Sequence, residues 1–262
     1  DYNRAVVVGD ASTFGKGTVQ QPMEIGRFFR FFEDNSRAGY LKATIQTFYR
    51  VSGSSTQLKG VEPDIKLPAL TDALEIGEAW LDHALPHDRI RQAPDFRPFD
   101  KAGLFLPALA ERSEARVKAC KDFTYVLEDV GRTKKRIAAN TVSLQRAKRL
   151  EELEESEERR KSRNIERRER FAEIEKEDGE KYTFYRLTLD NLETENLPEV
   201  DLEKDREAFM RRAKDETDDL DDTPLWPSGI DPVKREGLHV LADLVEFTEA
   251  ARTAGIQKPG QR

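Results

Sequence analysis

Cysteine, histidine and long apolar runs are scarce in these 262 residues, and each scarcity excludes a class of structure. Cys120 is the single cysteine, so the chain can form neither an internal disulfide nor a multi-cysteine metal site. His83 and His87 have a spacing that suits metal ligands on a helix, but Pro86 lies between them and should end that helix. No apolar run approaches the roughly 18 residues of a membrane-spanning helix, which excludes a transmembrane segment.

Charge is abundant but unevenly spread. The formal net charge is −7 and 36% of the residues are charged, against roughly 25% in an average globular protein. Residues 1–69 carry 16 charged side chains, whereas residues 151–181 carry 22 in 31 positions. A net negative chain without a sustained basic stripe argues against nucleic-acid binding. We therefore interpret the aromatic run from Ile25 to Phe32, which two arginines interrupt, as core packing.

The first 69 residues predict strands separated by turns. Ala5–Val8 is a short apolar run of the kind found in strands that are buried on both faces. Thr18–Gln21 can be extended, and Tyr40–Val51 alternates as a half-buried strand does. Ile65–Leu67 forms another short extended segment after a turn that contains proline. The pattern thus indicates a β-rich first part.

From Pro68 onward the pattern predicts helices divided by proline and glycine. Asp72–Ala84 is amphipathic, and its expected buried side consists of Leu74, Ile76, Trp80 and Leu81. Two further helices are predicted over Leu106–Cys120 and Phe123–Ala139. The β-branched segment Thr141–Leu144 is compatible with a short strand.

The rest of the chain combines a highly charged segment with a last amphipathic helix. Thirteen acidic and nine basic side chains in residues 151–181 predict an exposed helix with ion pairs three or four residues apart, or a partly disordered arm. A partner-binding coiled coil is the alternative, but the apolar heptad repeat is missing. Asp231 and Pro232 are typical of a helix start. This helix should end at Gly255 and bury Leu238, Leu241, Val245 and Thr248.

A loop with three glycines and Lys16 follows the first strand. It differs from a phosphate-binding P-loop because five residues, not four, separate Gly9 from Gly15, and because glycine follows the lysine. In addition, the next segment reads as extended, whereas a P-loop leads into a helix. We therefore expect no nucleotide, no metal and no other cofactor.

The lysine itself has two interpretations. It is either an ordinary surface lysine in a glycine loop or a general base. A lysine amine accepts a proton only when it is neutral, and burial among apolar walls favours that state. The residues before Lys16 are suitable for building such walls, but composition leaves both interpretations open.

Two ordered strings resemble those of the C-terminal processing, or tail-specific, peptidases, which are serine proteases of the Ser-Lys type. The first is TFGKGTVQ at residues 13–20, preceded by the strand RAVVVG at residues 4–9. The second is discontinuous and consists, in order, of FYR at residues 48–50, SG at 52–53, Gln57, KG at 59–60 and PDI at 63–65. The charged helical remainder is similar to the C-terminal domain of the long, periplasmic branch of this family. The resemblance is specific in the first 69 residues and loose after them.

The resemblance implies a role for three residues. Lys16 matches the general base, which takes the proton of the nucleophilic serine and returns it to the leaving amine. Gln20 matches the residue that orients this lysine. Since positions i and i+4 of a straight strand are about 13 Å apart, we expect a bend near Gly17. Asp1 matches an accessory carboxylate of uncertain role, because pairing it with Lys16 would keep the amine charged.

The chain departs from the family pattern in two places. Its glycine loop is one residue longer than the common form. The family's nucleophilic serine lies some two dozen residues ahead of the lysine, but only fifteen residues precede Lys16 here. Ser12 lies on the lysine's own loop, at a spacing that the family does not use. We therefore expect the nucleophile to lie upstream of this chain and the isolated chain to be inactive.

The resemblance implies an α+β fold, in which residues 1–69 are the C-terminal part of a Ser-Lys peptidase core and residues 70–262 form a helical C-terminal domain. The implied activity is a periplasmic serine endopeptidase that cleaves proteins with apolar C-terminal tails, with an adaptor protein on the helical domain as a further partner. The alternative function is a non-catalytic helical platform that binds an adaptor or substrate.

Overall fold

The chain folds into short strands followed by long helices in a computed structural model that describes residues 1–28, 38–204 and 231–255. The strands are β1 (Val8–Gly9), β2 (Thr18–Glu24), β3 (Tyr40–Thr47) and β4 (Ile65–Lys66). The helices are α1 (Leu106–Ala119), α2 (Lys121–Ala139), α3 (Arg146–Lys181) and α4 (Pro232–Thr253). This architecture confirms the predicted α+β class.

By their contacts, the residues form two units. The first contains Asp1–Ala138 together with the residues from His239 onward, and the second contains Ala139–Leu238. The division at residue 69, which the sequence analysis expects, stays a prediction.

The first strand is shorter than predicted, and the prediction that it is buried on both faces is wrong, because Ala5 and Val7 are exposed. β1 pairs in parallel with β4, with Val8 opposite Ile65. Of the predicted Ala5–Val8 strand only Val8 lies in β1, although the carbonyl of Val7 accepts hydrogen bonds from the backbone of Asp64 and Ile65. The pairing brings two segments that are far apart in sequence to one edge of the core.

A β-hairpin accounts for the other two strands. β2 and β3 pair antiparallel from Thr18 opposite Thr47 to Glu24 opposite Tyr40, which confirms the predicted extended segments. The prediction that β3 is half-buried is wrong, because Leu41 and Ile45 are exposed and only Ala43 is partly buried in this strand. Of the aromatic run Ile25–Phe32, Phe28 is exposed rather than packed, and the following aromatics lie outside the described residues.

The hydrophobic core of the first unit joins the strands to the helices. Ile65 and Leu67 at β4 pack with Leu109 of α1, Phe123 of α2 and Val240 of α4. All five are buried, and the partly buried Val6 and Val8 border them. Burial of such side chains is the main stabilising contribution to a unit of this size.

The prediction of an amphipathic helix over Asp72–Ala84 is wrong. Two short 3-10 turns, Leu70–Ala73 and Glu78–Trp80, take its place. Gly77 between them has a φ of +136°, which no α-helix accommodates. The backbone amide of Glu78 donates to the carbonyl of Phe14 at 2.8 Å instead of to a helical partner.

The helices in the middle of the chain follow the predictions closely. α1 and α2 confirm the predicted Leu106–Cys120 and Phe123–Ala139 helices to within two residues. The segment Thr141–Leu144, whose composition is compatible with a short strand, is irregular, and Leu144 is 98% exposed. β-branched residues favour a strand only where a neighbouring strand and a covering layer are available.

The charged segment forms α3, a single helix of 36 residues with mostly exposed side chains. Ion pairs four residues apart include Glu166 with Arg170 at 2.9 Å and Glu177 with Lys181 at 2.6 Å, as the alternating charges predict. The hydrogen bond from Lys181 holds the pKa of Glu177 below its ordinary value, and Arg235 adds to this effect. None of the described helices contains an apolar stretch long enough to cross a bilayer.

The start of α4 is as predicted, but its buried face is not. The Asp231 carboxylate accepts a hydrogen bond from the backbone amide of Lys234 at 3.0 Å, which confirms the N-cap.

The helix ends just before Gly255, which has a φ of +72°. Of the four residues predicted to be buried, Leu241 and Val245 are exposed and Leu238 and Thr248 are partly buried. The buried residues of α4 include Val240, Asp243 and Ala251.

An ion-pair network explains the rotated face of α4. Arg112 and Arg116 of α1 each place a guanidinium nitrogen 2.7 Å from the Asp243 carboxylate. The Arg112 guanidinium also lies over the ring of Phe247, 4.3 Å from its centroid. These contacts draw the Asp243 side of the helix inward, and hydropathy alone does not predict them.

We expect Leu109→Ala to lower the free energy of unfolding of this chain by about 2–5 kcal/mol, because it leaves a cavity in the middle of the core. Leu109 is 0% exposed. The matched control is Leu127→Ala on α2, where the side chain is 54% exposed and the expected change is within about 0.5 kcal/mol. Urea unfolding measures both, and equal losses would contradict the described core.

Candidate active site

The loop that carries Lys16 is held by a segment that comes some forty residues later in the chain. The amide of Leu58 donates to the carbonyl of Gly15 at 2.8 Å, and the Thr56 hydroxyl donates to the carbonyl of Lys16 at 3.1 Å. The carbonyl of Gly17 accepts from the amide of Phe48 at 3.0 Å. Three consecutive residues are therefore fixed by partners within residues 48–58.

Both glycines beside the lysine, Gly15 and Gly17, are buried, and atoms of residues 55–60 lie close to them. Gly15 has a φ of +86°, which disfavours any side chain. At Gly17, a Cβ atom would lie 2.5 Å from the Ser55 hydroxyl and 2.6 Å from the amide of Gln57. The string GKG thus has a steric cause, because each glycine lies where the partner segment leaves no room for a side chain.

Lys16 and Gln20 are brought together, as the sequence analysis predicted. Lys16 Nζ donates to Gln20 Oε1 at 2.8 Å. Opposite this stretch the pairing shifts by one residue between Val19 and Gln20, which leaves Ile45 of β3 as an extra residue. Such a bulge increases the local twist of a hairpin. The extra residue of the bulge lies in the partner strand β3, and the bend expected near Gly17 stays a prediction.

The surroundings of the lysine differ from the expected apolar enclosure. The Lys16 side chain is exposed, and so is Gln20. Phe14, two residues earlier, is also exposed. The described residues therefore supply the amine and its orienting amide, but they do not cover the amine with apolar walls.

Asp1 lies in a separate ion pair. Its carboxylate contacts Arg50 through Nη2 at 2.6 Å and Nε at 3.0 Å, and it accepts a hydrogen bond from the Ser52 hydroxyl at 3.3 Å. Arg50 and Ser52 both belong to the second family-like string. In the structure Asp1 therefore holds the turn at residues 50–53 and is not hydrogen-bonded to Lys16.

The remaining candidates from the sequence have other surroundings. The Ser12 hydroxyl donates to the carbonyl of Thr13 at 3.1 Å. β2 follows the glycine loop directly, where a P-loop requires a helix. His83 is exposed in a turn, and His87 lies 3.3 Å from the Ser54 hydroxyl. Within the described residues, no group of three His, Cys, Asp or Glu side chains is arranged to hold a metal ion.

Two interactions in this region were not anticipated from the sequence. Tyr49 donates to Asp88 at 2.9 Å, and this hydrogen bond raises the pKa of the Tyr49 phenol above its ordinary value. Gln57 is buried and accepts a hydrogen bond from the amide of Gly17 at 2.8 Å. Gln57 stands in the second string, but the sequence gives no sign of which group its side chain binds.

We expect Gly17→Ala to destabilise this chain by about 1–3 kcal/mol, because its methyl group overlaps Ser55 and the backbone of Gln57. Gly9→Ala is the matched control, since a Cβ atom there has no heavy atom within 4 Å. Urea unfolding compares the two variants. A Gly17→Ala protein as stable as Gly9→Ala would contradict the described packing of the loop.

Both parts of the chain match known protein families. Residues 1–67 match the model of Peptidase family S41, and residues 71–246 match that of the C-terminal domain of tail specific protease (DUF3340). The chain is 33% identical over 252 residues to the tail-specific protease of Haemophilus influenzae, an alignment that covers 94% of this chain. It spans 30% of the length of that relative. The chain therefore belongs to the tail-specific protease family.

Proposed function

We propose that this chain is the part of a tail-specific serine endopeptidase that carries the general base, Lys16. The observation that supports the proposal is the hydrogen bond from Lys16 Nζ to Gln20 Oε1 at 2.8 Å, within a loop whose backbone is fixed on both sides of the lysine. A general base must be held in one orientation to be effective, and this loop provides that constraint.

In this mechanism a serine hydroxyl attacks the scissile carbonyl while its proton moves to the neutral amine of Lys16. The resulting ammonium gives the proton to the leaving amine of the substrate, and an acyl-enzyme ester remains. Lys16 then takes a proton from a water molecule whose oxygen attacks the ester carbonyl. As the bond to the serine oxygen breaks, Lys16 returns this proton to the serine, which releases the new C-terminus and restores the neutral amine. Gln20 accepts a hydrogen bond from the amine and keeps it directed at the serine.

We propose that polypeptide not included in this sequence contributes the nucleophile. The family resemblance requires a serine further ahead of the lysine than Asp1, and the Ser12 hydroxyl donates to the carbonyl of the next residue, Thr13. The same proposal explains the exposure of Lys16, because the segment with the serine and the bound substrate would exclude water from the amine. The 262-residue chain alone should then show no peptidase activity.

The family resemblance also supports the proposed substrates and location. The substrates are proteins with apolar C-terminal tails, an adaptor protein binds the helical part, and the enzyme acts in the periplasm. Release of the full-length protein by osmotic shock would support the location. Retention in the cytoplasmic fraction would contradict it.

A non-catalytic binding platform is the second candidate, and the long exposed helix α3 favours it as a surface for partners. Residues 70–262 are unsuitable for testing it alone, because Ile65 and Leu67 belong to the same core as Leu109. The platform hypothesis can be tested in the full-length protein, because it predicts that a catalytically impaired variant keeps its full biological function.

We expect Lys16→Ala in the full-length protease to lower kcat/KM by roughly 10²- to 10⁴-fold, the usual contribution of general acid–base catalysis. Cleavage of a fluorogenic peptide with an apolar C-terminus measures the effect. Lys42→Ala on β3 is the matched control, because that lysine is exposed in the same hairpin. Normal turnover by the Lys16→Ala enzyme would remove this lysine from the mechanism and favour the platform.

Substitution of Gln20, the hydrogen-bond partner of Lys16, gives a second test, in which the direction of the shift in the pH–rate profile is predicted. Gln20→Glu places a carboxylate beside the amine and favours its protonated form. We therefore expect low activity at neutral pH and recovery at higher pH, so that the acid limb of the pH–rate profile moves upward. Gln20→Met introduces no charge, so it should lower kcat without moving the acid limb of the pH–rate profile upward. Identical profiles for both variants would contradict the proposed contact.

A further inference from the structure

The side chain of Gln57 is the most completely buried polar group at the lysine loop. It is 1% exposed, and its carboxamide makes three hydrogen bonds. Oε1 accepts from the amide of Gly17 at 2.8 Å. Nε2 donates to Glu78 Oε1 and to the carbonyl of Leu85, each at 3.1 Å. Both protons of the amide nitrogen are therefore used.

We infer that Gln57 is a positioning residue for Lys16, and that it connects the lysine loop to residues 78–85 of the segment that matches the tail-specific C-terminal domain. The inference rests on the proposed function, because it concerns the same general base. It goes beyond that function in assigning part of the alignment of the base to the second family segment.

The first step of the argument is the burial of the Gly17 amide. Gly17 follows Lys16 directly, and its buried N–H has its acceptor in Gln57. A buried amide that loses its acceptor is costly, so the loop would move to find another partner. Since Gly17 sets where the chain leaves Lys16, such a movement would displace the amine.

The second step concerns what fixes Gln57. Its own backbone amide donates to the Ser55 hydroxyl at 3.0 Å, and this buried hydroxyl also faces Gly17. Glu78 and Leu85 hold the far side of the carboxamide. With both ends of the side chain occupied, the acceptor oxygen has one orientation available.

The third step is a second contact from the same glutamate. The backbone amide of Glu78 donates to the carbonyl of Phe14 at 2.8 Å, two residues before Lys16. Gly77, which precedes it, has a φ of +136°, and its Cβ position lies 3.2 Å from the same carbonyl. Glu78 therefore contacts the lysine loop directly through its backbone and indirectly through Gln57.

These contacts predict that a substitution of Glu78 lowers the catalytic rate through Gln57 and the lysine loop, although Glu78 does not contact the substrate in this scheme. A displacement of about 1 Å of a catalytic group can cost about 100-fold in rate. Because the substrate does not contact Gln57 in this scheme, the loss should be in kcat and not in KM.

The experiment uses the full-length protease with Gln57→Met, which keeps the length of the side chain and removes its hydrogen bonds. Gln46→Met, at an exposed position of β3, is the matched control. Glu78→Gln keeps an acceptor for Gln57, whereas Glu78→Met removes it. A fluorogenic peptide with an apolar C-terminus gives kcat and KM, and a fluorophosphonate probe counts the folded active sites. Lys16→Ala is measured beside them.

We expect Gln57→Met to lower kcat per active site by about 10-fold or more and to change KM by less than about 2-fold, consistent with misplacement of the base. Glu78→Met should show a smaller loss in the same direction, and Glu78→Gln should retain kcat. Amide exchange at Gly17 should accelerate in Gln57→Met but not in Gln46→Met.

The outcomes separate the two hypotheses. If Lys16→Ala is inactive and Gln57→Met keeps its kcat per active site, the positioning role is wrong and the proposed function stands. If Lys16→Ala keeps its kcat, both are wrong. Should Gln57→Met fail to fold, the Glu78 variants decide, because equal kcat values for Glu78→Gln and Glu78→Met would overturn the connection to residue 78.

Discussion

The close contact between the lysine loop and residues 55–57 is the constraint on which the site depends. A side chain at Gly17 would collide with Ser55 and with the backbone of Gln57. With glycine there, the amide of Gly17 reaches the buried Gln57 side chain at 2.8 Å. Sterics and hydrogen bonding thus act at one point, and the orientation of Lys16 follows from it because the backbone is fixed immediately after that residue.

The core extends this constraint beyond the loop. β4 follows the Gln57 segment, and Ile65 and Leu67 at its end pack against Leu109 and Phe123 of the first two helices. The part that matches Peptidase family S41 and the start of the part that matches the tail-specific C-terminal domain therefore share buried apolar surface. Burial of this kind stabilises both together, so the helical part is more than an appended surface.

The sequence predicts what local patterns determine and misses what distant contacts determine. Helices α1 and α2 have regular amphipathic patterns, and the Asp231 cap acts over three residues, so all were predictable. Residues 72–84 have a helical pattern too, but Gly77 and the contact of Glu78 with Phe14 override it. The pairing of Lys16 with Gln20 came from family strings, whereas the contact of Gln57 with Gly17 spans forty residues and has no local signal.

The distribution of charge around the lysine explains why its partner is an amide. Arg50 engages both oxygens of the Asp1 carboxylate, at 2.6 and 3.0 Å, so this negative charge is balanced away from the amine. A carboxylate in contact with a lysine favours the ammonium form, which cannot accept a proton. Gln20 supplies the same acceptor geometry without a charge. The Lys16 amine is therefore oriented by a neutral hydrogen bond, and the Asp1 carboxylate is paired with a different cation, which is the arrangement that the proposed general base would need.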